Sequence, residues 1–362
     1  MQRRRWLGIA LGVALLVGCA SASESRPPAE QAAPARAALQ PASAQPAPQP
    51  AAAQAVPPAP ESLDFAYTSL GVTQAYLWLA QEVGYFGEEG LAVELHYVPG
   101  TSAAVQALLG RNVQLVTGLG AASVSAALGG ADTVILATTT DHFTNILMSD
   151  PDLAPTAESV RGHTVAVTRF GASSDFVARY WLRRLGLEPG TDAPIIQVGG
   201  NPEMAAALVS GAAQIASVAD LFALELQQQG YRELGDINGP GIDTVNNGLI
   251  ASASYVAESR DVVRRFLRAA LRGLDRFMND EALATQVMAR YSQVTDPEIL
   301  AQAWQAHTTK YLKRIPYTTS SAVQMTLDEL ALTDERARTA KPEAFYDNQL
   351  VRELDDAGFF KQ

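Results

Sequence analysis

Apolar positions in this chain follow two alternating rhythms. Leu63-Asp64-Phe65-Ala66-Tyr67-Thr68 alternates large apolar with small or polar side chains, the period of a strand. After a polar turn, residues 74–83 carry Leu77, Leu79, Ala80 and Val83 mostly on one side of a helix, which Gly84 stops. The same reasoning predicts strands over 91–98, 113–117 and 133–139. Helices are predicted over 101–109, capped by Thr101 or Ser102, and over 121–128. The alternation restarts after Arg161, with strands over 165–168, 195–198 and 214–218 and helices over 173–185, 202–209 and 220–229. Strands that alternate with helices predict parallel sheets with helices packed on their faces. From about Ala257 the chain reads as mostly helical. Val263, Phe266, Leu267, Ala270, Leu271, Leu274 and Phe277 keep helical spacing, and Pro297 and Pro316 break later helices. This tail is expected to pack back on the main body.

A shift of 100 residues lays the chain on itself. Ala66, Thr68 and Gly71 fall on Ala166, Thr168 and Gly171; Gly100 falls on Gly200; Ala107-Leu108 falls on Ala207-Leu208; Gln114 falls on Gln214. The matches occupy equivalent places in the strand–helix order. They predict two α/β lobes of one plan, with a cleft between them. Ligands of open parallel sheets sit at the carboxyl ends of strands, where helix N-termini present unpaired N–H groups. Those turns fall at 68–74, 99–102, 117–121, 138–143, 168–175, 199–203 and 218–221.

Composition changes the picture at the N-terminus. Residues 20–61 hold 10 Pro and 16 Ala, too few large apolar side chains for a core, so residues 19–61 read as a linker. Before it, Arg3, Arg4 and Arg5 precede the apolar run Trp6 to Val17, too short to span a bilayer but suited to an export signal over 1–18. That run ends in Leu16-Val17-Gly18-Cys19, which looks like a bacterial lipobox with Cys19 as the lipidated residue. Cleavage there removes three arginines and takes the formal charge of the 362-residue chain from −11 to −14. Cys19 is the one cysteine, so no internal disulfide and no Cys-rich zinc site is expected. The acidic balance argues against nucleic acid.

Phe65-Ala66-Tyr67-Thr68-Ser69-Leu70, Glu82-Val83-Gly84-Tyr85-Phe86 and Glu89-Gly90-Leu91-Ala92-Val93-Glu94-Leu95 resemble the start of solute-binding proteins of bacterial ABC importers. The subgroup serves sulfonates, taurine, nitrate and the thiamine pyrimidine precursor, the NMT1/THI5-like proteins. The resemblance continues through residues 102–109, Val160-Arg161-Gly162, residues 169–176 and residues 206–211. It implies an α/β fold of the two-lobed periplasmic-binding-protein type, a clamshell with two crossings. Each lobe would be a mainly parallel sheet flanked by helices, with a helical C-terminal tail. Residues 62–146 and 250–362 would form lobe 1, and 147–249 lobe 2. It also implies a monomer outside the cytoplasm, held to the membrane by the N-terminal lipid, with a permease and an ATPase as partners. The family includes a fungal enzyme that consumes its own histidine and carries a Cys-rich motif. This chain has no cysteine after residue 19.

Among the motifs, Gly118-Leu119-Gly120-Ala121-Ala122-Ser123 approaches a dinucleotide fingerprint, but its sixth position is Ser and its helix is short. It reads as close helix–sheet packing with a backbone amide site. Gly171-Ala172-Ser173-Ser174-Asp175 is not a nucleophile elbow; it is either an N-terminal helix turn holding a ligand oxygen or simple capping. His96, His142, His163 and His307 show no metal-ligand spacing, and no metal or cofactor is expected. Candidate ligand-binding residues are Ser69, Gln74, Tyr76, Ser102, His142, Phe143, Arg169, Ser173, Ser174, Asp175, Asn201, Glu203 and Asp220. Arg169 is the one basic residue among the cleft turns, against Asp141, Asp175, Glu203 and Asp220. Acids together with Tyr67, Tyr76, Trp78, Phe143, Phe170 and Phe222 favour a neutral, flat heteroaromatic solute such as a pyrimidine vitamin precursor or a flavin. An aliphatic sulfonate, taurine or nitrate is the alternative, and a pyrimidine-synthase-like enzyme the second.

Overall fold

The computed structural model describes residues 59–361 apart from residue 236 and residues 239–241. The export signal, Cys19 and nearly all of the linker expected from the sequence lie outside them. The chain runs through β1 (Glu61–Tyr67), a 3-10 turn (Val72–Gln74), α1 (Ala75–Glu82), α2 (Tyr85–Glu88), β2 (Leu91–Tyr97), α3 (Thr101–Leu109), β3 (Leu115–Gly118), α4 (Gly120–Leu128) and β4 (Val134–Thr140). It continues through β5 (Asn145–Ser149), α5 (Ala157–Val160), β6 (Val165–Val167), α6 (Ser173–Arg184), β7 (Ile195–Gln197), α7 (Asn201–Val209), β8 (Ile215–Ala219), α8 (Asp220–Gln228), β9 (Arg232–Glu233) and β10 (Asn247–Ala251). Then come α9 (Ala253–Glu258), α10 (Arg260–Asn279), α11 (Glu281–Ser292), α12 (Pro297–Ala306), a π-helical turn (His307–Tyr311), α13 (Ser320–Leu330) and α14 (Gln349–Asp356). Among the described residues no helix is long and apolar enough to cross a membrane.

Two five-stranded sheets result, one per lobe, in the orders β2-β1-β3-β10-β4 and β7-β6-β8-β5-β9. The orders are the same once β6, β7 and β8 are laid on β1, β2 and β3. The registers agree as well. Phe65 pairs with Leu95 and Leu115, and Val165 pairs with Ile195 and Ile215. Side chains repeat too: Gln114 Oε1 accepts from Asp64 N at 2.7 Å, and Gln214 Oε1 accepts from Thr164 N at 3.1 Å.

The expectation of mainly parallel sheets holds, with one exception in each. In each sheet one strand runs against the rest: β10 is antiparallel to β3 and β4, and β5 is antiparallel to β8 and β9. These are the strands next to the two crossings, between β4 and β5 and between β9 and β10. Their apolar runs are short and no amphipathic helix follows the first, so nothing local marks them. The turn expected over 138–143 also starts later, because β4 runs to Thr140. Thr101 and Ser102 do not cap α3; Gly100 holds that position. Pro297 starts α12 instead of breaking it, since the first helical position needs no N–H.

The tail thickens lobe 1. Phe266 of α10 stacks on Phe65 at 5.0 Å and on Phe86 at 5.2 Å. Gly273 lets α10 approach α1, since a Cβ there would stand 2.4 Å from the Tyr76 carbonyl oxygen. In lobe 2 a smaller core gathers around Trp181, Leu182, Phe176 and Phe143, while Met204, Leu208, Val218 and Leu226 join the main core.

Candidate functional site

Strands β1, β2, β3, β6, β7 and β8 all point their carboxyl ends at the space between the lobes, and the helices that follow begin there. The first residues of α3, α6, α7 and α8, and Leu119 just before α4, line one cavity of about 40 Å3. The N-cap residues of these helices are Gly100, Leu119, Ala172, Gly200 and Ala219, and none offers a capping side-chain atom. Of the helices that start elsewhere, α5, α9, α11, α12 and α13 are capped in the ordinary way, by Thr156, Ser252, Asp280, Asp296 and Thr319, while α2, α10 and α14 have no side-chain cap. The first N–H groups of a helix have no internal partner and carry its partial positive charge. Five such ends from two lobes therefore make a concentrated donor site.

Short polar side chains complete the wall. From lobe 1, Gln74 Nε2 donates to Asn247 Oδ1 at 2.9 Å, and Asn247 Nδ2 donates to Thr139 Oγ1 at 2.9 Å. Thr117 donates its hydroxyl proton to Gln74 Oε1. From lobe 2, Ser173 donates to Asn145 Oδ1 at 3.0 Å, and Ser174 Oγ accepts from Thr168 N at 2.9 Å. Thr101 Oγ1 accepts from Leu119 N, and one repeat later Asn201 Oδ1 accepts from Ala219 N. Asp220 is the one ionisable side chain on the wall. Its Oδ2 accepts from Nε2 of His307, a fully buried histidine on the π-helical turn.

The lobes touch directly around this cavity. Asn201 Nδ2 donates to Ser69 Oγ at 3.2 Å, Ser102 Oγ to the Phe170 carbonyl at 2.9 Å, and Arg169 Nε to the Pro99 carbonyl at 3.1 Å. Gly71 needs its missing Cβ, which would stand 2.9 Å from Ala219 Cβ across the boundary.

Of the residues singled out in the sequence, Ser69, Gln74, Ser173, Ser174, Asn201 and Asp220 line the cavity. The others stand elsewhere. Ser102 and Arg169 use their donors to bridge the lobes. Glu203 accepts from Gly200 N at 2.8 Å in the first turn of α7. Asp175 accepts from Gly171 N at 2.8 Å and pairs with Arg179; burial pushes its carboxyl up in spite of both partners. His142 pairs with Asp141 at 2.7 Å. Phe143 lies in the lobe 2 core, and Tyr76 is buried in α1, where desolvation raises its phenol. Thr101, Asn145, Asn246 and Asn247 line the cavity without having been singled out. The Asn246-Asn247 pair, set just before the apolar Leu249-Ile250-Ala251, was the available signal.

Donors of the kind that bind metals gather at one place among the described residues. Asp64, Glu94 and His96 lie within 4.8 Å of one another on β1 and β2, away from the cavity. Asp64 Oδ1 and His96 Nε2 are already paired at 2.7 Å.

The family described as NMT1/THI5 like matches the chain over residues 73–284. No curated protein sequence matches it. Solved structures similar to it include a protein from Bordetella bronchiseptica RB50, with a TM-score of 0.74 and 19% identity over 82% of this chain and 98% of that one. The alkanesulfonate-binding protein SsuA from Xanthomonas axonopodis pv. citri, bound to MOPS, has a TM-score of 0.65 and 16% identity over 78% and 96%. The periplasmic nitrate-binding protein NrtA from Synechocystis PCC 6803 has a TM-score of 0.66 and 16% identity over 82% and 89%. The two mixed sheets and their helices thus form the two-lobed fold of the periplasmic binding proteins.

Proposed function

The chain belongs to the NMT1/THI5-like family, and from that premise we propose that it is the extracytoplasmic substrate-binding component of an ABC importer. The ligand binds between the lobes, the lobes close on it by hinge motion, and the permease meets the closed form. The observation that carries this reading is the convergence of five helix N-termini without side-chain caps on one small polar cavity between the lobes.

The same observation favours a small oxyanion, the alternative in the sequence reading, over a flat heteroaromatic. Helix N-termini hold anionic oxygens with backbone N–H groups and need no cationic side chain. A cavity of about 40 Å3 accommodates roughly three water molecules, the size of a nitrate or a sulfonate head, since one water needs ~10–15 Å3 on this measure. Tyr76 and Phe143, the flat faces expected to stack on a ring, are buried away from it. SsuA and NrtA, named for alkanesulfonate and nitrate, share the fold. A longer ligand would keep the lobes further apart than the Ser69–Asn201 and Ser102–Phe170 contacts hold them here.

The lipid anchor at Cys19 belongs to this proposal. Cys19→Ala should leave the membrane fraction while keeping ligand affinity. Calorimetric titration with nitrate, short alkanesulfonates, a hydroxymethylpyrimidine and a flavin tests the ligand class. Binding of an oxyanion, recovered unchanged after long incubation, is expected. Binding of the heteroaromatics with no response to any oxyanion would overturn the oxyanion reading, and turnover would overturn the transport one.

A further inference from the structure

Away from the cavity, lobe 1 carries a group of polar side chains that its repeat lacks. Strands β1 and β2 run parallel in a register that sets Asp64 beside Glu94 and Ala66 beside His96. Side chains two apart on a strand share a face. Asp64, Glu94 and His96 therefore lie on one face, while Leu63, Phe65 and Val93 fill the core on the other. One donor atom from each of the three lies within 4.8 Å of the other two. Gln114, just before β3, fixes the Asp64 backbone: its Oε1 accepts from Asp64 N at 2.7 Å, and its N–H donates to the Asp64 carbonyl at 2.9 Å. One repeat later the framework keeps its glutamine, Gln214, but the three positions hold Thr164, Pro194 and Ile196. The group is thus an addition to lobe 1 and no part of the shared plan.

Asp64 and Glu94 are like charges set side by side, an arrangement that costs stability between neighbouring strands. Their one ion-pair partner among the described residues is His96, with Nε2 2.7 Å from Asp64 Oδ1 and Nδ1 4.0 Å from Glu94 Oε1. A single imidazole cannot neutralise two carboxylates, whereas a divalent cation can. We propose that Asp64, Glu94 and His96 form a surface site for a divalent cation of the zinc class, with water completing its shell. One imidazole and two carboxylates are a set that zinc accepts with a position left open, while magnesium and calcium take oxygen ligands. Zinc bonds of about 2.0–2.2 Å hold neighbouring donors roughly 3 Å apart. The hydrogen bond between Asp64 and His96 already sets nearly that spacing, and the cation takes the place of its proton. The donors come from two strands, so no local spacing in the sequence reveals them. Strand β2 is the edge of its sheet, with β1 as its one neighbour, and the cation would tie that edge to the sheet.

The test is calorimetric titration of zinc into the purified full chain, in a buffer that does not bind the metal. One tight ion per chain is expected, and an excess of magnesium or calcium should not displace it. Losing a group that merely supports a metal ligand typically costs 10–100-fold in affinity, so His96→Gln and Glu94→Gln should each weaken zinc by about tenfold or more. Glu94 is exposed, so its replacement should leave folding intact and decides the matter even if His96→Gln does not fold. His163→Gln changes a histidine outside the set and should bind zinc as the wild type does. Failure of the wild type to bind zinc in the micromolar range, displacement by magnesium or calcium, or unchanged affinity in Glu94→Gln or in a folded His96→Gln would each overturn the site. None of these outcomes touches the transport reading, because the three residues share no position with the cavity wall.

Discussion

At positions 114 and 214 a glutamine side chain reaches back to the N–H of the residue fifty positions earlier, and at 101 and 201 a short polar side chain accepts from the residue eighteen positions later. The two lobes thus reuse one framework down to single hydrogen bonds. They differ in what is added to it. Lobe 1 receives α10 and α11, an aromatic stack on Phe266 and a glycine at position 120. Lobe 2 keeps a smaller core around Trp181, carries Asp220 in place of that glycine, and is reached by the tail through His307–Asp220 and Arg183–Glu329. The repeat explains why donors face the cleft from both sides. The additions explain why the cleft is chemically one-sided.

The comparison can be broken hardest at Gly273. Gly273→Val drives a side chain into the backbone of α1, and overpacking of this kind costs about 1–3 kcal/mol. Hydrogen exchange should rise in α1 and α10 well before it rises in α6. Equal loss of protection in both lobes would show that they unfold as one unit. A finer probe is the paired glutamines. Gln114→Ala and Gln214→Ala each leave a backbone N–H without its side-chain acceptor and should each cost about 1 kcal/mol. The double variant should be additive within ~0.5 kcal/mol, because the sites are far apart and share no partner. Denaturant titration checks this, and a several-fold difference between the singles would end the equivalence of the lobes.

The smallest effect belongs to lobe 1 alone. Glu82 on α1 accepts from Tyr291 Oη at 2.7 Å and pairs with Arg290 on α11, and the Tyr291 hydrogen bond draws its carboxyl below the usual 4.5. A carboxyl with a depressed folded value stabilises above its unfolded value, and that contribution is lost as pH falls through the folded one. Glu82→Gln should therefore be slightly less stable than wild type at pH 7, and the gap in Tm should close on going to pH 3. A gap that stays constant with pH would remove Glu82 from the tie between α1 and α11.

Much of this was legible in the residues. Strands β1, β2, β3, β6, β7 and β8 show themselves as apolar alternations or runs, and α10 by its spacing from Val263 to Phe277. The turns that hold Ser69, Ser173, Asn201 and Asp220 follow from strand ends, where sheet geometry sends ligands. Strands β5 and β10 did not show, because each is defined by partners far along the chain: Gly248 faces Gly118, and Met148 faces Ala216. Asn246 and Asn247 were missed with them. The count of acids and aromatics in the turns also misled, since it could not tell that Glu203 and Asp175 are spent on backbone N–H groups or that Phe143 and Tyr76 turn into cores.

By itself, then, the sequence determined most of the elements, the repeat and the level at which the cavity sits, because periodicity and turn chemistry act between near neighbours. Only the tertiary structure decided which polar groups are left for a ligand. That depends on which hydrogen bonds are already used across the lobe boundary, and on a histidine 87 residues away that takes one oxygen of Asp220 and leaves the other.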